Sequence, residues 1–133
     1  MTDVVTAVVT DGMRVLLLKR GERVRTYRGR WACVSGYLEG NEDPLERAIT
    51  EIEEETGLKK ENITLLKKGE VVTYHDKQHG VFWRIHPFLF KTDTTDIEID
   101  WEHTTHHWVS PDEMEQYNTV PKLQEIVSML MKS

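Results

Sequence analysis

Hydrophobic residues recur along this chain with two periods, and the switch between them marks out the elements. Residues 4–10 and 15–18 are β-branched and aliphatic runs separated by Asp11-Gly12, a two-residue turn signal, and predict a pair of strands. Residues 31–35 predict a short third strand, ended by Gly36-Tyr37-Leu38-Glu39-Gly40-Asn41, where two glycines permit a tight backbone path. A helix start follows, with Asp43 placed to cap it, Pro44 in its first turn and Gly57 as its stop. Further on, residues 70–74 and 81–90 flank a turn at 75–80 as a hairpin would, and residues 106–109 read as a last short strand. Ser110-Pro111-Asp112-Glu113 opens a short helix, and residues 120–131 carry Leu123, Ile126, Val127, Leu130 and Met131 at helical spacing. Strands first, a helix in the middle and helices at the end predict an α/β layered domain.

The central helix, residues 44–56, sorts into three stripes at about 100° per residue. Leu45, Ala48, Ile49 and Ile52 share the side that must face a core. Glu46 and Glu53 share an outward side and read as solvated. Arg47, Glu51, Glu54 and Glu55 fall on a third, with the carboxylates at i, i+3 and i+4, so their side chains are expected to converge. Like charges at this spacing repel by a few tenths of a kcal/mol per pair. A hard divalent cation offsets that repulsion, since Mg²⁺ takes carboxylate oxygens and substrate phosphates together.

Composition narrows the picture in three ways. At 133 residues, 38% apolar and 30% charged, residues 1–133 are expected to form one globular domain with its own core. No apolar stretch approaches the roughly 20 residues that span a bilayer, and the first ten residues lack a signal peptide's basic start, so the expected setting is cytoplasmic and away from membranes. The single cysteine, Cys33, offers neither an internal disulfide nor a structural zinc site. The net charge of −6 argues against a nucleic-acid polymer as partner. Residues 19–30 depart from that average: six basic residues against Glu22 make a local +5 and leave −11 elsewhere. A basic loop beside an acidic body suggests phosphates and divalent cations together.

The segment GYLEGNEDPLERAITEIEEETGL, residues 36–58, resembles the Nudix box, G-x5-E-x7-R-E-U-x-E-E-x-G-U with U aliphatic. Gly36, Glu42, Glu51, Ile52, Glu54, Glu55, Gly57 and Leu58 match; Thr50 stands where the pattern has arginine. The resemblance implies an α/β/α sandwich around a mixed sheet and hydrolysis of a nucleoside diphosphate linked to another group. It implies that Glu51, Glu54 and Glu55, with the carbonyl of Gly36, hold Mg²⁺ (or Mn²⁺), and it leaves room for a homodimer. A further acid before the last strand commonly binds metal or acts as base; Glu102 is the best-placed match and Glu98 the second. Arg20, Tyr37 and Arg84 are the expected substrate contacts. The family arginine orients the metal glutamates, and threonine is too short and uncharged to do so. Arg47, one turn before Glu51, is the candidate substitute and Arg84 another.

The expected chemistry is metal-assisted attack of water on a small nucleotide-like diphosphate. A competing reading, motivated by Thr50, is a Nudix-fold nucleotide sensor without turnover; a weaker one is a purely structural acidic domain. The proline that many ADP-ribose hydrolases carry about fifteen residues beyond the box is absent here, where Thr73 and Tyr74 stand. His103, His106 and His107 lack the helical His-Glu-x-x-His arrangement of zinc hydrolases. Of the four tryptophans, Trp31, Trp83, Trp101 and Trp108, one or two are expected to line a base-stacking wall and the rest to be core.

Overall fold

In the first strand, β1 (Thr2–Thr10), alternate side chains enter two separate cores, and that alternation organises the molecule. Val5, Ala7 and Val9 pack with Ala48 and Ile52 of helix α1 (Pro44–Thr56). Val8, with Val4 at its margin, packs against Leu123, Ile126, Val127 and Leu130 of helix α2 (Leu123–Met131) on the opposite face. A sheet covered by one helix on each side results, the expected α/β/α sandwich. The computed structural model describes residues 1–132. No described helix is long and apolar enough to cross a membrane.

The sheet is mixed. β1 pairs in parallel with β7 (Val81–Thr92), from Thr2 opposite Trp83 to Thr10 opposite Lys91, and antiparallel with β4 (Val34–Tyr37) on its other edge. The turn at Asp11-Gly12 forms as predicted, yet β2 (Val15–Arg20) meets β1 at Thr10 and Val15 alone. It then leaves to pair with β3 (Trp31–Ala32) and β8 (His103–Val109). The predicted strand pair is thus a shared corner, because β4 occupies the edge of β1 that a hairpin would need.

On the far edge of β7, β5 (Ile63–Lys68) covers its C-terminal half and β6 (Val72–Asp76) its N-terminal half. The hairpin β6–β7 matches expectation, and Gly80, at φ 67°, takes the left-handed turn position. α1 begins at Pro44, although the Asp43 side chain makes no cap hydrogen bond, and it stops at Gly57, φ 77°, whose N–H donates to the Glu53 carbonyl. α2 begins at Leu123 and not at Val120, because Pro121 and Lys122, the latter at φ 72°, break the backbone ahead of it. The short helix expected after Ser110 is a 3-10 helix, Pro111–Gln116.

Candidate active site

Strand β4 and helix α1 lie against each other, and their contact is closest where Gly36 faces Glu51. A methyl group at Gly36 would fall 2.3 Å from Glu51 Cδ, so the glutamate side chain occupies the space a larger residue would fill. The backbone of Gly36 is ordinary strand, paired with Val5. Glycine is therefore required here for room and not for conformation.

Glu51 is held from its other side by Arg47, whose Nη1 lies 2.8 Å from Glu51 Oε2. The same guanidinium donates through Nε and Nη2 to Glu42 Oε2 at 3.0 and 2.8 Å. Glu42 Oε1 in turn accepts the Glu39 amide. Glu42, Arg47 and Glu51 thus form a chain that ties the glycine loop to the acidic stripe, the position suggested for Arg47. Thr50 is exposed and touches none of it.

Burial divides the three stripe glutamates. Glu54 is exposed, Glu51 is buried, and Glu55 lies underneath with 1% of its surface accessible. Glu55 Oε1 accepts a long bond from the Ser35 amide, 3.4 Å, while Oε2 has no partner. Burial, followed by the neighbouring Glu51, pushes the Glu55 carboxyl well above the ordinary glutamate range. His103 Nε2 stands 3.8 Å from Glu55 Oε1, and its Nδ1 donates to Asp100 at 2.7 Å. Burial lowers the His103 pKa against the pull of Asp100, so this imidazole favours the neutral form and adds little positive charge.

Among the described residues, no three His, Cys, Asp or Glu side chains form a ready-made metal set. The Glu51 and Glu55 carboxyls lie next to each other, and Arg47 draws Glu51 Oε2 toward Glu42. Two local facts nevertheless fit a hard divalent cation: the buried, unpartnered Glu55 Oε2, and the space at Gly36 that admits Glu51. All the donors there are oxygens, the set that Mg²⁺ and Mn²⁺ prefer.

Beside these carboxylates opens a cavity of about 430 Å³. Gly36, Glu51, Glu54 and Glu102 line it, together with the cations Arg20, Arg23 and Arg25 and the rings of Tyr27, Tyr37, Trp83 and Trp101. Arg20 is braced by Nε donating to the Thr26 carbonyl at 2.9 Å. Burial, then Asp100 and Glu51, raises the Glu102 carboxyl above its ordinary value. Acids, cations and aromatic faces suit a phosphorylated ligand with a flat ring.

A family model described as NUDIX domain matches residues 1–130. The chain belongs to the Nudix family of hydrolases. Solved structures share its fold at low identity. A C. elegans Ap4A hydrolase in a binary complex superposes with TM-score 0.78 at 19% identity, covering 97% of this chain and 94% of that one. A MutT protein from Methanosarcina mazei Go1 gives 0.75 at 22%, covering 96% and 90%. A bifunctional NMN adenylyltransferase/ADP ribose pyrophosphatase from Francisella tularensis gives 0.81 at 21%, covering 96% of this chain and 39% of that one. Enzymes of this family generally use divalent metals.

Not every residue singled out in this Nudix sequence lines the cavity: Glu55 lies behind Glu51 and Arg47 bonds Glu51 from outside the lining. Arg84 is the clear departure: its Nε and Nη2 bond Asp3 at 2.6 and 3.1 Å, where it locks β7 to the start of β1, away from the carboxylates and from Glu51. It neither lines the cavity nor substitutes for the box arginine. Glu98 sits behind the C-terminus of α1, its Cβ 3.4 Å from the site of a methyl on Gly57. Conversely, sequence reasoning did not assign Tyr27, Arg23, Arg25 or the Asp100–His103 pair to the site. The basic run was the one signal for the first three, and pairing of β8 with β2 brings the fourth in.

Arg47→Ala should weaken Mg²⁺ affinity about tenfold, since it leaves Glu42 and Glu51 without the cation between them. The stability cost should stay within about 1 kcal/mol for a part-exposed pair. Calorimetric titration and thermal melting separate the two effects, and unchanged metal affinity would refute this reading of the chain.

Proposed function

We propose that this chain is a Mg²⁺-dependent pyrophosphohydrolase, with Mn²⁺ as an alternative ion, that cleaves a diphosphate linkage in a small nucleotide-like substrate. The observation that carries this reading is the buried, unpartnered carboxyl oxygen of Glu55 next to Glu51, which lines the cavity with Glu54 and Gly36. An orphaned polar atom costs a fold roughly 1–3 kcal/mol unless a ligand satisfies it.

Glu51, Glu54, Glu55 and the Gly36 carbonyl are the groups that would hold the ion. When bound, it supplies charge neutralisation for the diphosphate and acidifies a coordinated water. Arg47 holds Glu51 at the correct end of the cavity through its ion pair. Arg20, on the cavity wall, faces phosphoryl oxygens and offsets the charge that grows on them. Glu102, at the cavity edge with a raised pKa, takes the proton of the attacking water. Tyr37 and Trp83, with ring centroids 6.2 Å apart, offer faces for a base. Likeness to an Ap4A hydrolase and to an ADP ribose pyrophosphatase makes dinucleoside polyphosphates and nucleotide sugars, with nucleoside triphosphates beside them, the first compounds to try.

The test is a panel of these compounds with Mg²⁺, scored for released phosphate or pyrophosphate, beside a Glu54→Gln control and a Mg²⁺ titration. Release that falls about a hundredfold or more in Glu54→Gln supports the enzyme. Saturable nucleotide binding with no release from any member of the panel selects the sensor reading instead.

A further inference from the structure

A second, open groove of about 420 Å³ is lined by Arg25, Tyr27, Arg28, Arg30, Gln78 and His79. Arg25 and Tyr27 also line the first cavity, so one wall faces both. Charge is unevenly compensated across the molecule. Arg14, Arg47 and Arg84 each pair with a carboxylate. Among the described residues, Arg20, Arg23, Arg25, Arg28 and Arg30 form no ion pair within 4 Å, although the chain as a whole is acidic. Two carboxylates come near: Glu22, whose Oε1 stands 3.9 Å from the site of a methyl on Gly29 but pairs with none of these arginines, and Asp76, which is already engaged by the Tyr27 hydroxyl, the His79 amide and His79 Nδ1.

Arg28 and Arg30 are held in place by contacts within the loop. Arg28 Nε donates to the Val24 carbonyl at 2.8 Å, and the Arg30 guanidinium lies over the Tyr27 ring at 5.6 Å. The Tyr27 side chain is fixed by its hydroxyl's bond to Asp76 and by Trp83 Nε1 donating to that hydroxyl at 3.2 Å. Five arginines with one acid among them, Glu22, are less stable alone than with a further anion among them. Guanidinium forks match phosphate oxygens two at a time, which makes phosphate the anion they recognise best.

We infer that this groove is a subsite for the distal phosphates of a substrate that carries more phosphate than the diphosphate being cleaved, reached from the first cavity past Arg25 and Tyr27. The inference rests on the pyrophosphohydrolase reading and narrows its substrate to polyphosphorylated nucleotides. Arg28 and Arg30 are then residues that set chain-length preference.

The test is equilibrium binding without divalent metal of adenosine 5′-diphosphate, triphosphate and tetraphosphate, with orthophosphate alongside, to the parent protein and to Arg28→Gln/Arg30→Gln. The parent should gain about tenfold in affinity from diphosphate to tetraphosphate, and the double variant should lose that gain while keeping its diphosphate affinity. Single variants Arg28→Lys and Arg30→Lys, which keep charge but not the fork, should fall between. Equal loss for all lengths, no loss, or the same loss in a Lys68→Ala control on β5 would overturn the inference. Loss of orthophosphate binding without chain-length dependence would mark an independent anion site and overturn it as well. Hydrolysis is scored in parallel: length-dependent binding with no turnover removes the hydrolase reading and leaves the subsite standing.

Discussion

Gly36→Ala should abolish most of the activity while leaving the chain folded. The added methyl would sit 2.3 Å from Glu51 Cδ and 2.5 Å from its Cγ and Oε2, distances that no real contact tolerates. Backbone strain does not enter, because Gly36 lies in β4 with extended conformation and alanine accepts it. What must move is one side chain and not backbone, so the stability loss should be about 1–3 kcal/mol. Glu51 would be driven from Gly36 and from its 2.8 Å contact with Arg47 Nη1. A displacement of about 1 Å at a reacting centre costs on the order of a hundredfold in rate, and a similar loss is expected in kcat/KM here. Shortening the partner should relieve the clash: Gly36→Ala/Glu51→Asp should recover part of the Mg²⁺ affinity that Gly36→Ala loses. A large drop in melting temperature with metal affinity preserved would show that Gly36 serves the fold and not the site.

That residue also marks how far the sequence could be read. α1 was legible end to end, because Pro44, the apolar stripe and Gly57 are local signals that agree. Membership of Glu51, Glu54 and Glu55 in one stripe followed from helical period alone. Their unequal burial did not, because it depends on β4 and β8, strands that arrive from elsewhere in the chain. Glu55 lies three residues beyond the buried Ile52, close enough to the core side to be covered once β4 packs there.

The misread elements have a common physical cause. β1 and β7 pair in parallel across about eighty positions, and no turn between them announces it. Asp11-Gly12 announces a turn truthfully but says nothing of which strand will occupy the edge beyond it. β5 escaped because five of its six residues are exposed, so it lacks the apolar alternation that reveals a half-buried strand. Arg84 was a plausible candidate by charge and turned out to serve the fold, since register places it opposite Asp3, a nearer anion than any substrate. Such long-range pairings decide which of several suitable side chains reach a site.

Glu55→Gln should move stability and activity in opposite directions. In the metal-free protein the Glu55 carboxyl titrates well above its ordinary value of 4.5 because it is buried beside Glu51, while unfolding returns it to that value. A group whose pKa is raised on folding contributes its full stability below the unfolded pKa. That contribution is lost as pH rises from about 4.5 through the folded value, at about 1.4 kcal/mol per pH unit in that interval. The melting temperature of the metal-free protein should therefore decline over this range, and saturating Mg²⁺ should reverse the decline by favouring the ionised carboxylate. Glutamine cannot ionise, and its amide has the Glu51 carboxylate beside it as an acceptor. Metal-free Glu55→Gln should thus be about 1–3 kcal/mol more stable than the parent at pH 8, with a flatter pH dependence. The same change removes a charged oxygen donor, so stabilisation by Mg²⁺ should largely vanish and turnover should fall by about a hundredfold or more. Melting curves at pH 5 and pH 8, with chelator and with Mg²⁺, carry the whole comparison. A variant less stable than the parent at pH 8 without metal would mean that the carboxyl is satisfied in the folded state, and that its unpartnered oxygen is not what draws a cation to this end of the cavity.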